Sequence, residues 1–232
     1  MPLPEDPELR RIARFWDARA REDAQRYSVP GGARVAPATF DGSGEAVLRA
    51  LESTLGLTTD GAGVALDLGC GAGRVTPALA ARADQVVAVD VSQRMLDEAE
   101  ARVGSSDAVR YVHADAGEIP QLPAAVVDVA LVLGVLPHLP TAKLVAAVLH
   151  ELGRVLAPGG VAAFDVRSGA PAPVLPGEDD LPEHVSGHPI WRGIALDLET
   201  LAALAHQAEL VVERIEGSGT SRCLVLVRRD EL

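Results

Sequence analysis

One segment, Val64-Ala65-Leu66-Asp67-Leu68-Gly69-Cys70-Gly71-Ala72-Gly73-Arg74, constrains this chain more than any other. Five residues, apolar except for Asp67, run into three glycines at alternate positions, and a helix-forming stretch comes next. A short apolar run bounded by turn residues reads as a buried strand. The glycines mark a tight turn that lacks the Cβ atoms which would keep a ligand off the backbone. Amides at the start of the next helix would then face a bound group.

The same strand-to-helix rhythm repeats along the chain. Short apolar runs at 64–68, 85–89, 109–113, 127–133 and 161–166 read as strands. Helical periodicity predicts helices over 74–82, over 93–103 behind a Ser92 cap and over 142–156 behind a Thr141 cap. The stretch 115–125 holds two prolines and has room only for a short helix. Such alternation implies a parallel sheet with helices on both faces. After it, Asp197 caps a helix running to Ala208, and apolar runs at 210–215 and 223–227 close the pattern. Residues 216–222 are too few for a parallel crossover, so these two runs should pair antiparallel. The expected fold class is α/β: a doubly wound, seven-stranded, mostly parallel Rossmann-like sheet with a C-terminal antiparallel hairpin.

Two regions break the rhythm. Asp6-Pro7-Glu8 is a helix start, and Leu9, Ile12, Trp16 and Ala20 succeed it at helical spacing to about Tyr27. The Gly-, Pro- and Ala-rich stretch from Pro30 to Gly44 reads as a loop, and Val47, Leu51 and Leu55 then share a helix face that stops at Gly56. Residues 1–44 are therefore expected to form a helical arm or lid on a domain of residues 45–232. Residues 168–194 carry five prolines and four glycines and read as an insert in that domain, placed to form a substrate loop.

Composition narrows the function classes. The net charge is −12, with 21 Lys+Arg against 33 Asp+Glu. That field repels nucleic acid, and no basic run offsets it. Two cysteines form no zinc pattern or disulfide framework, and no His/acid spacing suggests a metal. The N-terminal stretch lacks an apolar core, and the longest apolar run is broken by Asp128 and too short for a bilayer. The expectation is a cytoplasmic protein, monomer or homodimer, acting on a small molecule without membrane or nucleic-acid partners.

Two readings of the glycine loop compete. A dinucleotide site needs G-x-G-x-x-G, but counting from Gly69 the sixth position is Arg74, and Gly73 falls one place early. Asp67 would also repel a pyrophosphate while suiting an ammonium group. The pattern D-x-G-x-G-x-G thus fits a zwitterionic, cationic ligand better.

On these residues the chain resembles the class I S-adenosylmethionine-dependent methyltransferases of small-molecule type. Residues 64–80 are similar to the family's first motif, and the order of elements over 45–228 is similar to theirs. The resemblance implies S-adenosylmethionine as cofactor, with S-adenosylhomocysteine as product. It implies that Asp67 and Gly69 hold the methionine end. Asp90, 23 positions after Asp67, would accept from the ribose hydroxyls. Asp115 would accept from the adenine amino group, with the Ala116 backbone beside it. Cys70, Gly71, Gly73, Val91 and Leu133 complete the expected cofactor set. The alternative for Asp90 is that it merely starts a helix with Ser92, and for Asp115 that it forms an Asx turn. An acid such as Asp128, at the start of the fourth strand, is expected to be structural.

Methyl transfer is an in-line displacement that needs a base only where the acceptor must lose a proton. His138, after the fourth strand, is the candidate base; the alternative is that it packs under the substrate loop. Trp16, Tyr27 and Trp191, with His184 and His188 of the insert, are candidate substrate residues, against ordinary packing or solvent-exposed roles. Arg10, Arg14 and Arg34 are candidate partners for a carboxylate. Rival functions are a cofactor-binding or regulatory protein that transfers no methyl group, and a nicotinamide-dependent oxidoreductase.

Overall fold

A computed structural model describes residues 6–104, 106–168, 177–218 and 222–230. Strands β1 (Val64–Leu68), β2 (Gln85–Asp90), β3 (Val109–His113), β4 (Val127–Val132), β5 (Leu156–Arg167), β6 (Leu210–Glu216) and β7 (Arg222–Arg229) form one seven-stranded sheet. The order is β3-β2-β1-β4-β5-β7-β6. Pairs among β1 to β5 are parallel, whereas β7 runs antiparallel to both β5 and β6. The hairpin is therefore as expected, and β7 inserts between its own partner and the parallel body.

Residues alternate between the faces of each strand, and both faces are covered. Leu66, Val87 and Phe164 point to a core with Leu149 and Leu152 of α5 (Ala142–Val155) and Leu201 of α8 (Leu198–Gln207). Ala65, Val86 and Leu131 point to the other, with Leu48 and Leu51 of α2 (Pro37–Leu55) and Leu79 of α3 (Thr76–Ala80). Each fully buried Leu or Phe contributes about 1.5–3 kcal/mol. Val64 N–H donates to Asp128 Oδ2 at 2.9 Å, so that acid ties β4 to the start of β1.

Several boundaries differ from the sequence reading. The stretch expected as loop to Gly44 contains the first two turns of α2, which begins with Pro37 at N1 and buries Phe40 completely. Gly44 belongs in that helix because a Cβ there would lie 2.3 Å from Arg74 O. The arm–domain boundary expected at residue 44 thus falls inside α2. The helix expected over 74–82 is five residues long, and 115–125 forms turns without a helix. In the insert, 169–176 lies outside the described residues. Beyond it the chain forms short helices, α6 (Glu183–Ser186) and α7 (Pro189–Arg192).

The arm helix, α1 (Pro7–Tyr27), starts as its sequence predicts, with Asp6 accepting from Glu8 N–H at 2.7 Å. It is broken at Asp23, whose carboxylate caps the last turn by accepting from Arg26 N–H at 3.0 Å. The arm lies against α4 (Gln93–Val103), where Ser92 Oγ donates to Asp17 Oδ1 at 2.6 Å. Among the described residues no helix is long and apolar enough to cross a membrane.

Candidate active site

The glycine loop joins β1 to α3 at the C-terminal edge of the sheet. Its amides are spent within the protein. Gly69 and Cys70 N–H donate to Val89 O at 2.8 and 3.0 Å, and Gly73 N–H donates to Cys70 O at 3.0 Å. Gly71 N–H donates to Asp90 Oδ2 and Ala72 N–H to Ser28 Oγ, both at 2.9 Å. A phosphate clamp needs free N–H groups, and these five are not free. The amides of residues 69–73 are therefore not available to a phosphate, which counts against the dinucleotide reading.

The glycines also serve close packing. A Cβ on Gly69 would lie 2.2 Å from Val135 Cγ2, and one on Gly71 would lie 2.5 Å from Ser28 Oγ. At Gly73 the obstruction would be Val103 Cγ2 of α4, at 2.9 Å. The missing side chains make room for the loop after β4, for the end of the arm and for α4. Gly73 is accordingly a packing residue and does not reach the cavity.

That cavity, of about 530 Å³, opens over the strand ends. Nine of the ten residues expected to hold the cofactor line it, Gly73 being the exception. The register brings them together: Leu68 pairs with Val89 and Asp90 with His113, so β1, β2 and β3 end on one edge. Open α/β sheets bind ligands at such an edge.

Three carboxylates stand there. Asp67 accepts from Thr76 Oγ1–H at 2.7 Å, and burial pushes its pKa up to about 6, against the opposing effects of Thr76 and Arg74. Asp90 accepts from Ser92 N–H and Gly71 N–H at 2.9 Å each; burial raises it also to about 6 despite those bonds. Asp115 accepts from Gly117 N–H at 2.9 Å in an Asx turn, and burial raises its pKa. Asp90 and Asp115 thus take up the structural roles open to them, the helix start and the Asx turn. An ionised carboxylate has about four acceptor positions, so these bonds leave capacity for a ligand. Beside them, burial pushes the Cys70 thiol well above its usual pKa, which keeps it protonated.

Comparison with known proteins agrees with this geometry. The stretch 66–164 matches the family described as "Methyltransferase domain". The demethylmenaquinone methyltransferase of Clavibacter sepedonicus is 36% identical over 110 residues, which are 47% of this chain and 43% of that protein. The chain spans less than half the length of the curated relatives it matches, at 42% and 43% for two of them. Among solved structures, the [4+2]-cyclase SpnF aligns with a TM-score of 0.68 at 17% identity, covering 98% of each chain. The DhpI–SAH complex aligns at 0.64 with 18% identity, covering 97% of this chain and 98% of that one. At such identities the likeness shows the fold alone.

Besides the three carboxylates, the cavity is walled by aromatic residues. Trp16, Tyr27, His138 and Trp191 all line it. Trp16 meets His138 edge-on with ring centres 5.2 Å apart, and His138 meets Trp191 at 4.9 Å. His138 Nδ1 lies 2.8 Å from Trp191 O, and because a carbonyl only accepts, the imidazole proton sits on Nδ1. Burial, with Arg222 and Arg167 nearby, pulls the pKa of His138 down to about 3. A conjugate acid that strong makes its imidazole a poor base at neutral pH. This geometry is the packing role under the insert.

His184 and His188 do not line the cavity. His184 is exposed, and His188 stacks on Phe15 at 4.4 Å and accepts from Ile190 N–H at 3.2 Å as the cap of α7. Arg10, Arg14 and Arg34 also lie away from it, and Arg34 is 72% exposed. Among the lining residues that escape the sequence reading are Ser28, Arg74, Asp165 and Arg222. Asp165 lies two residues before the end of β5, so a search for acids near strand ends could have found it. It accepts from Gly134 N–H at 2.7 Å and from Arg222 Nη1 at 2.8 Å. In the sequence Arg74 counts only as a missing glycine. Ser28 gives no signal, because its partner Ala72 is 44 residues away.

Proposed function

We propose that this protein binds S-adenosylmethionine in the cavity and directs its methyl group to a small-molecule acceptor by in-line displacement. One observation carries the reading. Three strand-end carboxylates line a single cavity beside a glycine loop whose amides are already bonded, which suits a ligand rich in donors and free of phosphate. The carboxylates match the cofactor's donors: Asp67 the ammonium, Asp90 the ribose hydroxyls and Asp115 the adenine amino group. Val91, Ala116 and Leu133 supply apolar walls for the base. When bound, S-adenosylmethionine supplies a methyl group on a positively charged sulfur.

This chain's residues then bind, orient and exclude water. The arm, held by Ser28 and Asp17, covers the cofactor end. Trp16, Tyr27 and Trp191 supply a dry wall for an acceptor with an apolar face. His138, with its proton committed to Trp191 O, orients that wall and can accept a hydrogen bond through Nε2. A small acceptor also suits the net charge of −12. The demethylmenaquinone methyltransferase match supports the same class of acceptor.

A second reading, cofactor binding without methyl transfer, draws on the likeness to SpnF, a cyclase by name. Calorimetry with S-adenosylhomocysteine and with NAD tests the binding step: heat with the first and none with the second is expected. Release of S-adenosylhomocysteine from S-adenosylmethionine across a panel of phenol, amine and carboxylic acid acceptors separates methyl transfer from the second reading. Heat with NAD alone would overturn both.

A further inference from the structure

His138 is a poor base, so an acceptor that must lose a proton needs another group to take it. The cavity wall carries an ion pair that has no part in the cofactor reading. Asp165 Oδ2 of β5 accepts from Arg222 Nη1 of β7 at 2.8 Å, and Asp165 Oδ1 accepts from Gly134 N–H at 2.7 Å. Both side chains line the cavity, and Asp165 is buried. An ionised carboxylate has about four acceptor positions, so about two stay open to a ligand. Asp165 also acts electrostatically on Arg74 of the glycine loop, and Arg222 on His138. The pair is thus within reach of both the loop and the aromatic wall.

Strand order says which part of the cavity is left for the acceptor. Asp115, Asp90 and Asp67 belong to the ends of β3, β2 and β1, three successive strands, so a nucleoside held by them covers that half of the edge. The cavity continues over β4, β5 and β7, where Gly134, Asp165, Arg222 and Leu224 line it. Only β4 separates β1 from β5, which sets Asp67 and Asp165 about 10 Å apart across the sheet. An acceptor held by one can therefore meet a cofactor held by the other. Leu224 pairs directly with Asp165 and packs in one apolar cluster with Val47 and Leu51 of α2, giving this end a second apolar wall. A carboxylate acceptor would be drawn by Arg222 but repelled by Asp165, and an ammonium the reverse. A hydroxyl is neutral and can donate to Asp165. We infer that the acceptor is a phenol with an apolar body, and that Asp165 accepts the proton of its hydroxyl while Arg222 positions the carboxylate. The inference rests on the cofactor reading above. A carboxylate is a weak base, so it matches the acidic hydroxyl of a phenol better than that of an alkyl alcohol. The phenol oxygen bonds the methyl carbon as the carbon–sulfur bond breaks, and sulfur keeps that electron pair. The hydroxyl proton passes to Asp165 and from there to solvent.

The test is calorimetry on the full chain with S-adenosylhomocysteine bound, using three probes that share one ring: para-cresol, para-toluate and para-methylbenzylammonium. The unaltered protein should bind the cresol at least about tenfold tighter than either charged probe, the loss expected for a repelled charge. Asp165→Asn still accepts from Gly134 N–H through its amide oxygen but leaves Arg222 without its anion. It should bind S-adenosylhomocysteine within about twofold of the unaltered protein, and should now prefer toluate to cresol. With S-adenosylmethionine and cresol, release of S-adenosylhomocysteine should fall about 100–10,000-fold in the variant, the contribution of a general base. That loss should shrink as pH rises toward the ionisation of the cresol itself, where no base is needed. A merely structural role would cost the same at every pH. Equal binding of the three probes, no binding of cresol by protein that holds S-adenosylhomocysteine, or a loss independent of pH overturns the inference and leaves the cofactor reading standing. Failure of the unaltered protein to bind S-adenosylhomocysteine removes both.

Discussion

Asp67 should cost the empty protein stability and give it its ligand. Burial raises its pKa from 3.8 to about 6. A group raised in the folded state is protonated in both states below the lower value and ionised in both above the higher one. Stability is therefore full below pH 3.8 and is lost as pH rises through 6. At pH 7.5 the loss is about 3 kcal/mol, and at pH 4 only about half a kcal/mol. Asp67→Asn removes the charge while keeping the shape, and Thr76 Oγ1, now 2.7 Å from the carboxylate, can donate to the new amide or accept from it. Scanning calorimetry should show the variant melting about 6–12 °C above the unaltered chain at pH 7.5. At pH 4 the gap should shrink to about 1–2 °C. Saturating S-adenosylhomocysteine should raise the melting temperature of the unaltered protein and not that of the variant. A variant that melts at or below the unaltered protein at pH 7.5, or a gap that is the same at both pH values, would refute the claim that the buried charge is the cost.

Ser28→Ala strands the Ala72 N–H and frees the end of the arm. It should cost about 1–3 kcal/mol in urea unfolding, and proteolysis should cut the arm of the variant faster. Gly153→Ala places a Cβ 2.0 Å from Ala208 O across the α5–α8 contact. Despite the better helix former it should lose about 1–3 kcal/mol, and a gain in melting temperature would show that the contact yields. His138, with a pKa pulled down to about 3, should remain a neutral Nδ1–H imidazole from pH 8 to pH 5. Nitrogen-15 imidazole shifts, assigned by His138→Gln, check this, and titration near pH 6.5 would restore His138 as a candidate base.

Much of the architecture can be read from local pattern. Apolar runs of five or six residues between amphipathic stretches dictate strands between helices, and the seven residues from Glu216 to Arg222 leave the last two strands no choice but to pair antiparallel. The strand-end acids Asp67, Asp90 and Asp115 are legible because the fold places every such residue on one edge. Where the sequence misleads, the deciding contact is distant. Pro37 to Gly44 has the composition of a loop, and only the approach of Arg74 O explains why a glycine sits in that helix. The glycines of the loop suggest ligand clearance, and only packing against Val135, Ser28 and Val103 shows what fills those spaces. His138 suggests a base, because a sequence records the imidazole but not the burial and the Trp191 carbonyl that fix its proton. Hydrophobic period and turn chemistry act within a few residues of chain, so the sequence alone carried strands, helices and their order. Close approach, desolvation and charge pairing depend on neighbours tens of residues away, so only the tertiary structure decided which groups are free to meet a ligand.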